Sequence, residues 1–288
     1  MLPLAAARSG ARLLHCTSGS VPLFPSLPVV VTVHDVAWLR GTQTHAPPYA
    51  RAYFGAFSAS RWRRARRIIV DSSFTREELL ASVDVDPEKV VVVYPGVDDA
   101  FASVRRTPAT EPTLLCVGTV ERRKNAAIII EALASLPGAK MVCAGPPTPY
   151  QAECAQLAQR LGVADRVAFL GYVSQERLFE LYARASLAVV PSRYEGFGYA
   201  AAQALCAGVP LVAARSSSLP EVAAEESLLS PDDPSQWSSA IANLLASRER
   251  SETVAARKRQ DALARFSWRT AAAATAEVYR AAAAYTSG

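Results

Sequence analysis

From Thr113 onward, short apolar runs alternate with longer helix-like stretches, and this alternation restricts what the chain can become more than any other feature. Residues 113–117, 139–144, 166–170, 186–190 and 209–213 read as buried strands, with 125–136, 149–161, 174–184 and 198–207 as the helices between them. Strands separated by helices of ten or more residues lie parallel, and their right-handed crossovers build a doubly wound sheet. An open α/β domain over about Thr113–Phe266 follows, and helices 234–247, 251–265 and 270–285 complete the chain. Upstream, 28–33 (PVVVTV), 67–70 (RIIV) and 89–93 (KVVVV) are β-branched runs bounded by turn formers, which read as further buried strands. Tyr49–Arg67 and Ser73–Ser82 read as helices. The polar, proline-bearing segment Val104–Pro112 is the expected interdomain linker.

The 288 residues, half of them hydrophobic, suffice for two cores and exclude a disordered chain. A net charge of +5 fits an anionic ligand, an acidic membrane surface or neither. Cys16, Cys116, Cys143, Cys154 and Cys206 lack metal-ligand spacing and the three histidines lie far apart, so no metal site is expected. Cys116, Cys143 and Cys206, inside apolar runs, read as small core residues in a reducing compartment. No apolar run approaches the ~18 residues of a membrane span. The first residues are too short and weakly apolar for a signal peptide, so a cytoplasmic location is expected. Arg61–Arg67 (RWRRARR) mixes arginines with an aromatic; it reads as a solvated helix face or as a peripheral contact at the inner membrane face. No nucleic-acid-binding module is present in the sequence, and nucleic acid is not an expected partner.

In doubly wound sheets ligands bind beyond the carboxyl ends of the strands. Two turns there carry the chemistry. In Gly118-Thr119-Val120-Glu121-Arg122-Arg123-Lys124-Asn125 a glycine ends a strand and cations precede a helix, whose positive dipole end they oppose; a bound anion would remove that cost, and a solvated charge cluster is the plain alternative. In Pro191–Tyr199 (PSRYEGFGY), Gly196 and Gly198 open a helix with bare backbone that an anion can approach. Glu195 beside them would repel phosphate, so it is expected to face the uncharged hydroxyls of the same ligand. A sugar phosphate or nucleotide sugar has both parts. His34, after the run 28–33, also lies at a strand's carboxyl end, where it is either structural or part of the site.

The strings Val117–Asn125 (VGTVERRKN), Pro191–Pro210 (PSRYEGFGYAAAQALCAGVP) and Ser218–Val222 (SLPEV) resemble glycosyltransferase family 4, and so do 32–39 (TVHDVAWL), 68–80 (IIVDSSFTREELL) and 89–98 (KVVVVYPGVD). The resemblance implies a retaining enzyme of the GT-B fold, with two Rossmann-like domains facing a cleft. It implies residues 1–108 as a partial acceptor-side domain, 109–268 as the nucleotide-sugar donor domain and 269–288 as a helix returning to the first. Lys124 and Arg123 would meet the donor diphosphate beside Gly118 and Thr119. The backbone of Gly196, Phe197 and Gly198 would touch diphosphate and sugar, Glu195 would hold sugar hydroxyls, and His34 would line the sugar site. No metal or other cofactor is implied if Lys124 and Arg123 supply the positive charge. A Lys124→Ala variant is then expected to lose transfer rate far more than stability.

Two departures bear on this. The family's second glutamate, eight positions after Glu195, is here Gln203; losing the charge-assisted bond to the nucleotide ribose is expected to weaken donor binding by ~1 kcal/mol. Judged from typical domain size, roughly a first quarter of the usual chain is also expected to be missing before the segment matching Leu13–His15. The leading expectation is transfer of a hexose, with GDP-mannose the first donor and a UDP-hexose the second, to a glycan or lipid-linked acceptor. A degenerate relative that binds a nucleotide sugar or a partner without catalysis is the alternative.

Overall fold

The computed structural model describes residues 5–6, 8–39 and 60–284. The helix expected over Tyr49–Arg67 lies outside them except at its end, where 60–62 are helical. Two compact units result, Met1–Gly96 with Trp268–Gly288, and Val97–Ser267. In chain order the elements are β1 (Leu14–Cys16), β2 (Val29–Val33), β3 (Arg67–Val70), α1 (Ser73–Ser82) and β4 (Val90–Val92). There follow β5 (Thr113–Val117), α2 (Ala126–Leu133), β6 (Lys140–Ala144), α3 (Pro149–Arg160), β7 (Val167–Phe169), α4 (Gln175–Arg184) and β8 (Leu187–Val190). The remainder are α5 (Tyr199–Cys206), β9 (Leu211–Ala214), α6 (Leu219–Val222), β10 (Leu228–Leu229), α7 (Pro234–Ala246), α8 (Arg248–Arg265) and α9 (Trp268–Ala284).

The first unit holds a parallel sheet in the order β1-β2-β3-β4. All five residues of β2 are buried, which is why this strand is a β-branched run, apolar at every position but Thr32, instead of alternating. Val29, Val31, Val33, Ile68 and Val70 face one core with Trp62 and with Leu79 of α1. Val30, Ile69 and Val93 face another, closed by Ala271, Val278 and Ala282 of α9. Those three residues, with Ala274, form a helical stripe whose small side chains let α9 lie close on the sheet. Ser72 caps α1, its hydroxyl accepting from the Thr75 N–H at 3.0 Å. The aromatic of the basic stretch is a core residue: Trp62 is buried and donates through Nε1 to the Gly19 carbonyl at 2.7 Å. Arg61 likewise bonds the Val21 carbonyl, so the stretch anchors the 19–23 loop instead of presenting a tryptophan to a membrane. Among the described residues no helix is long and apolar enough to cross a membrane.

The second unit holds six parallel strands in the order β7-β6-β5-β8-β9-β10. Numbered within the unit this is 3-2-1-4-5-6, the doubly wound order whose winding reverses between its first and fourth strands. The strand series expected to end at 209–213 continues: β10 pairs with β9 through Leu228 and Leu229, and two residues are too few to show periodicity. The division of the chain also falls at Gly96 and Val97, not within Val104–Pro112. Arg106 explains the difference. It donates to the carbonyls of Tyr182, Ala183 and Ala185 and forms a two-pronged pair with Glu252, Nη2–Oε1 being 2.6 Å and Nε–Oε2 3.2 Å. Phe101 is buried against Phe179 and Tyr182, and Arg259 bonds the carbonyls of Phe101, Ala102 and Val104. A segment with linker composition is therefore tied to its own unit by side chains that composition does not weigh. Replacing Arg106 by Ala strands Glu252 and three carbonyls, and should cost about 3 kcal/mol in urea unfolding of the second unit. A loss below about 0.5 kcal/mol would show that the network contributes no more than an exposed pair.

Candidate functional site

The turns singled out by the sequence follow β5 and β8, the two strands between which the winding reverses. That reversal opens a crevice beyond their carboxyl ends, and the cleft found there is lined by Gly118, Thr119, Lys124, Val190, Pro191 and Ser192 among others. After β5 the chain makes a 3-10 turn over Arg122–Lys124, then passes through Asn125 at φ 55 into α2. Asn125 tolerates this left-handed conformation and fixes it by donating from Nδ2 to the Pro231 carbonyl at 2.9 Å. After β8 the chain enters α5 through Gly198 at φ 96. A side chain at Gly198 would be strained and its Cβ would stand 2.8 Å from Leu219 Cδ2.

Charge couples the two turns. Glu195 Oε1 lies 2.5 Å from Lys124 Nζ, and Oε2 lies 3.5 Å from Arg123 Nη1. Arg123 also pairs through Nε with Glu121 at 2.7 Å and donates to the Tyr194 carbonyl at 3.1 Å. Side-chain exposures of 8% for Glu195, 17% for Lys124 and 26% for Arg123 place the group largely out of water. The pairing adds a feature that the sequence reading lacked. The charges of Arg123 and Lys124 are offset within the protein by Glu195 and Glu121, and Glu195 rests against the two cations of the neighbouring turn. Lys124→Ala is consequently a stability change as well, since it removes the nearer cation from a buried carboxylate.

Several supports were not visible as motifs. Ser217, at φ 48, accepts the Glu195 N–H on its hydroxyl at 2.9 Å. Ser218 donates to the Glu195 carbonyl at 2.9 Å and Ser216 to the Ser192 carbonyl at 2.5 Å. The run Ser216–Ser218 thus braces the turn after β8 from the turn after β9; the sequence signals were three consecutive serines at a strand end and the family-like string that Ser218 opens. Gly145, after β6, allows a close backbone approach, because a Cβ there would lie 2.0 Å from the Gly118 carbonyl oxygen. Beneath the cleft, Cys116 and Cys143 face one another in register on β5 and β6. Their hydrogen bond holds the Cys116 thiol below its ordinary range and pushes Cys143 up.

The other expected residues are placed as follows. Gly196 lies in the turn itself. Phe197 is buried against Phe266 and Tyr199, so its side chain packs and only its backbone serves the turn. Gln203, within α5, accepts from the buried Tyr182 hydroxyl at 3.2 Å. His34 belongs to the first unit, at the carboxyl end of β2, where its ring nitrogens meet Asp71 and Thr17. Among the described residues no group of three or more His, Cys, Asp or Glu side chains is placed to hold a metal ion.

The family model described as Glycosyl transferases group 1 matches residues 98–261, and that described as Glycosyltransferase Family 4 matches residues 2–101. The D-inositol 3-phosphate glycosyltransferase of Mycolicibacterium smegmatis is 30% identical over 260 residues, 84% of this chain and 59% of that protein. D-inositol 3-phosphate glycosyltransferase 2 of Catenulispora acidiphila is 36% identical over 239 residues, 75% of this chain and 56% of its own. The chain thus spans somewhat over half the length of these relatives. Among solved structures, sucrose-phosphate synthase from Thermosynechococcus elongatus matches with a TM-score of 0.83 at 25% identity, over 99% of this chain and 77% of that one. Anabaena HepE in complex with UDP and glucose matches in fold, with a TM-score of 0.76 at 21% identity over 88% and 72% of the two chains.

The coupling of Lys124 and Glu195 has a measurable signature. Lys124→Ala should lower the stability of the second unit by about 2–3 kcal/mol, whereas Lys124→Met combined with Glu195→Gln should cost less, because no buried charge is left alone. Urea unfolding of both variants measures the difference, and equal losses would separate the cost from the pair.

Proposed function

Because this chain belongs to glycosyl transferases group 1, whose model matches more than half of it, we propose that it transfers a hexose from a nucleotide sugar with retention, using the crevice between β5 and β8 to hold the donor diphosphate. The observation that carries this reading is the half-buried pair Lys124 and Arg123 against the buried Glu195 at the switch point, next to the Gly198 entry into α5. A diphosphate arriving there offers the cations a doubly bonded oxyanion partner and meets the positive end of the helix. Lys124 and Arg123 then turn from carboxylate to phosphate, and Glu195 is released to accept hydroxyls of the attached sugar. As the anomeric C–O bond breaks, negative charge grows on the leaving diphosphate, where the fixed cations and the start of α5 stabilise it. The acceptor hydroxyl attacks from the leaving-group face and gives its proton to the diphosphate. The protein's own cations suffice for this scheme, which calls for no metal ion.

GDP-mannose is the donor first proposed, from the Gly118-Thr119…Arg123-Lys124-Asn125 pattern, and a UDP-hexose is the second. A glycan or lipid-linked acceptor is proposed; the names of the relatives favour a phosphorylated cyclitol as a second acceptor class. Binding without transfer is the competing reading, and Gln203 in place of a glutamate is the observation that favours it.

A thermal-shift panel of GDP, UDP, ADP and their sugars tests the donor site. A ligand at one hundred times its Kd adds about 2.7 kcal/mol of stability, and one member of the panel should raise Tm by several degrees. A panel without any shift would remove the donor site, while a shift without turnover would favour binding alone. Gln203→Glu should tighten the binding nucleotide by roughly fivefold, the equivalent of ~1 kcal/mol; unchanged affinity would show that position 203 does not face the nucleotide.

A further inference from the structure

Thr17, His34 and Asp71 stand immediately after β1, β2 and β3, at the carboxyl ends of three adjacent parallel strands. His34 Nδ1 lies 2.7 Å from Asp71 Oδ2, and Nε2 lies 2.8 Å from the Thr17 carbonyl oxygen. Both partners accept hydrogen bonds and neither the carbonyl nor an ionised carboxylate can donate one. A neutral imidazole has a single N–H, so one of its nitrogens would set a lone pair against an acceptor. Only the imidazolium satisfies both contacts. His15 on β1 gives the contrast within the same sheet. Its nitrogens meet hydroxyls, Tyr279 at 2.6 Å and Thr32 at 2.8 Å, and a hydroxyl donates as readily as it accepts, so a neutral ring satisfies these.

We propose that Asp71 is a positioning residue that keeps His34 doubly protonated, so that the ring meets a ligand as a cation and hydrogen-bond donor and not as a base. The ligand side is open: the His34 side chain is 59% exposed, whereas the Asp71 carboxylate behind it is 9% exposed. The titratable groups facing His34 are Asp71 from the end of β3, Asp35 on its own turn and His15 from β1. The Asp71 hydrogen bond raises the His34 pKa above its ordinary value against the opposing effect of burial, with Asp71 and Asp35 charges and the Thr17 bond adding to it. Burial lowers that of His15, and the His34 charge lowers it further. The two rings at this end of the sheet are thus shifted in opposite directions, His34 toward the charged form and His15 toward the neutral one.

The consequence for chemistry rests on the reading of His34 as a sugar-site residue. A sugar or phosphate oxygen that displaces the Thr17 carbonyl receives the Nε2–H, while Asp71 continues to hold the Nδ1–H. A ring held in that state cannot take a proton from the acceptor hydroxyl. Its charge stabilises a negative oxygen that the ligand presents to Nε2.

The sequence has three histidines, so NMR of histidine-labelled protein resolves and assigns each ring with single His→Gln variants. In the wild type His34 should titrate above pH 6.5, and in Asp71→Asn its proton affinity should fall about tenfold, a one-unit shift, with the circular dichroism unchanged. A folded variant with the wild-type midpoint overturns the proposal. Should the variant not fold, the wild type decides: both His34 ring nitrogens protonated at pH 6.5 supports the assignment, and an unprotonated one overturns it. In turnover with the donor identified by thermal shift, the wild-type kcat should fall as pH rises through the His34 midpoint, and that limb should move to lower pH in Asp71→Asn. A limb that stays in place while the NMR midpoint moves would remove His34 from the reaction and leave its pairing with Asp71 intact. Absence of turnover in the wild type would count against the transfer reading alone.

Discussion

The carboxylate of Glu195 is held between Lys124 and Arg123 at the point where the sheet of the second unit reverses its winding, and much of the local architecture serves that contact. A carboxylate this buried is costly unless cations sit against it, so the turn after β5 and the turn after β8 cannot move independently. Ser217 and Ser218 fix the backbone on either side of the carboxylate, and the Arg193 N–H bonds the Arg123 carbonyl at 2.7 Å. The cost of bringing three charges together is met during folding, before any ligand arrives. Under the proposed function a diphosphate would require only an exchange of partners among groups already in position, and such preorganisation is where enzymes obtain most of their electrostatic stabilisation.

The two units use one device with opposite charge patterns. In the second, a carboxylate stands between cations; in the first, a histidine stands between acceptors, Asp71 and Thr17. Both groups lie at the carboxyl ends of parallel strands, where chain direction leaves turns instead of helices' sides to supply side chains. In each case a more exposed side chain pairs with a more buried neighbour, Lys124 with Glu195 and His34 with Asp71.

Much of this was legible in the sequence, for reasons that also mark where legibility ended. β5, β6, β8 and β9 are apolar runs flanked by helices, and their existence follows from periodicity. β1 and β10, three and two residues long, do not lie in a longer apolar run as the equally short β4 does, and were found only by their pairing. Gly118, Lys124, Glu195 and Gly198 stood out because each is unusual beside its immediate neighbours. The pair Lys124–Glu195 did not, because 71 positions separate its members and only the order of the strands brings them together; alternation fixes strand direction but not strand order. The same holds for Ser217 with Glu195, Gly145 with Gly118, and Asp71 with His34. Val104–Pro112 shows the converse error, in which composition suggested a linker and the five N–H donors of Arg106 decided otherwise.

The first unit is built from two separated stretches of chain, since the core over Val30, Ile69 and Val93 is closed by Ala271, Val278 and Ala282. During synthesis at ~5–20 residues per second, that face of the sheet emerges many seconds before the helix that covers it. The second unit, continuous from Val97 to Ser267, has all its residues available first. The nascent chain therefore carries an uncovered β-branched surface while the stretch after it is already able to fold, and the first unit is completed only when α9 has left the ribosome.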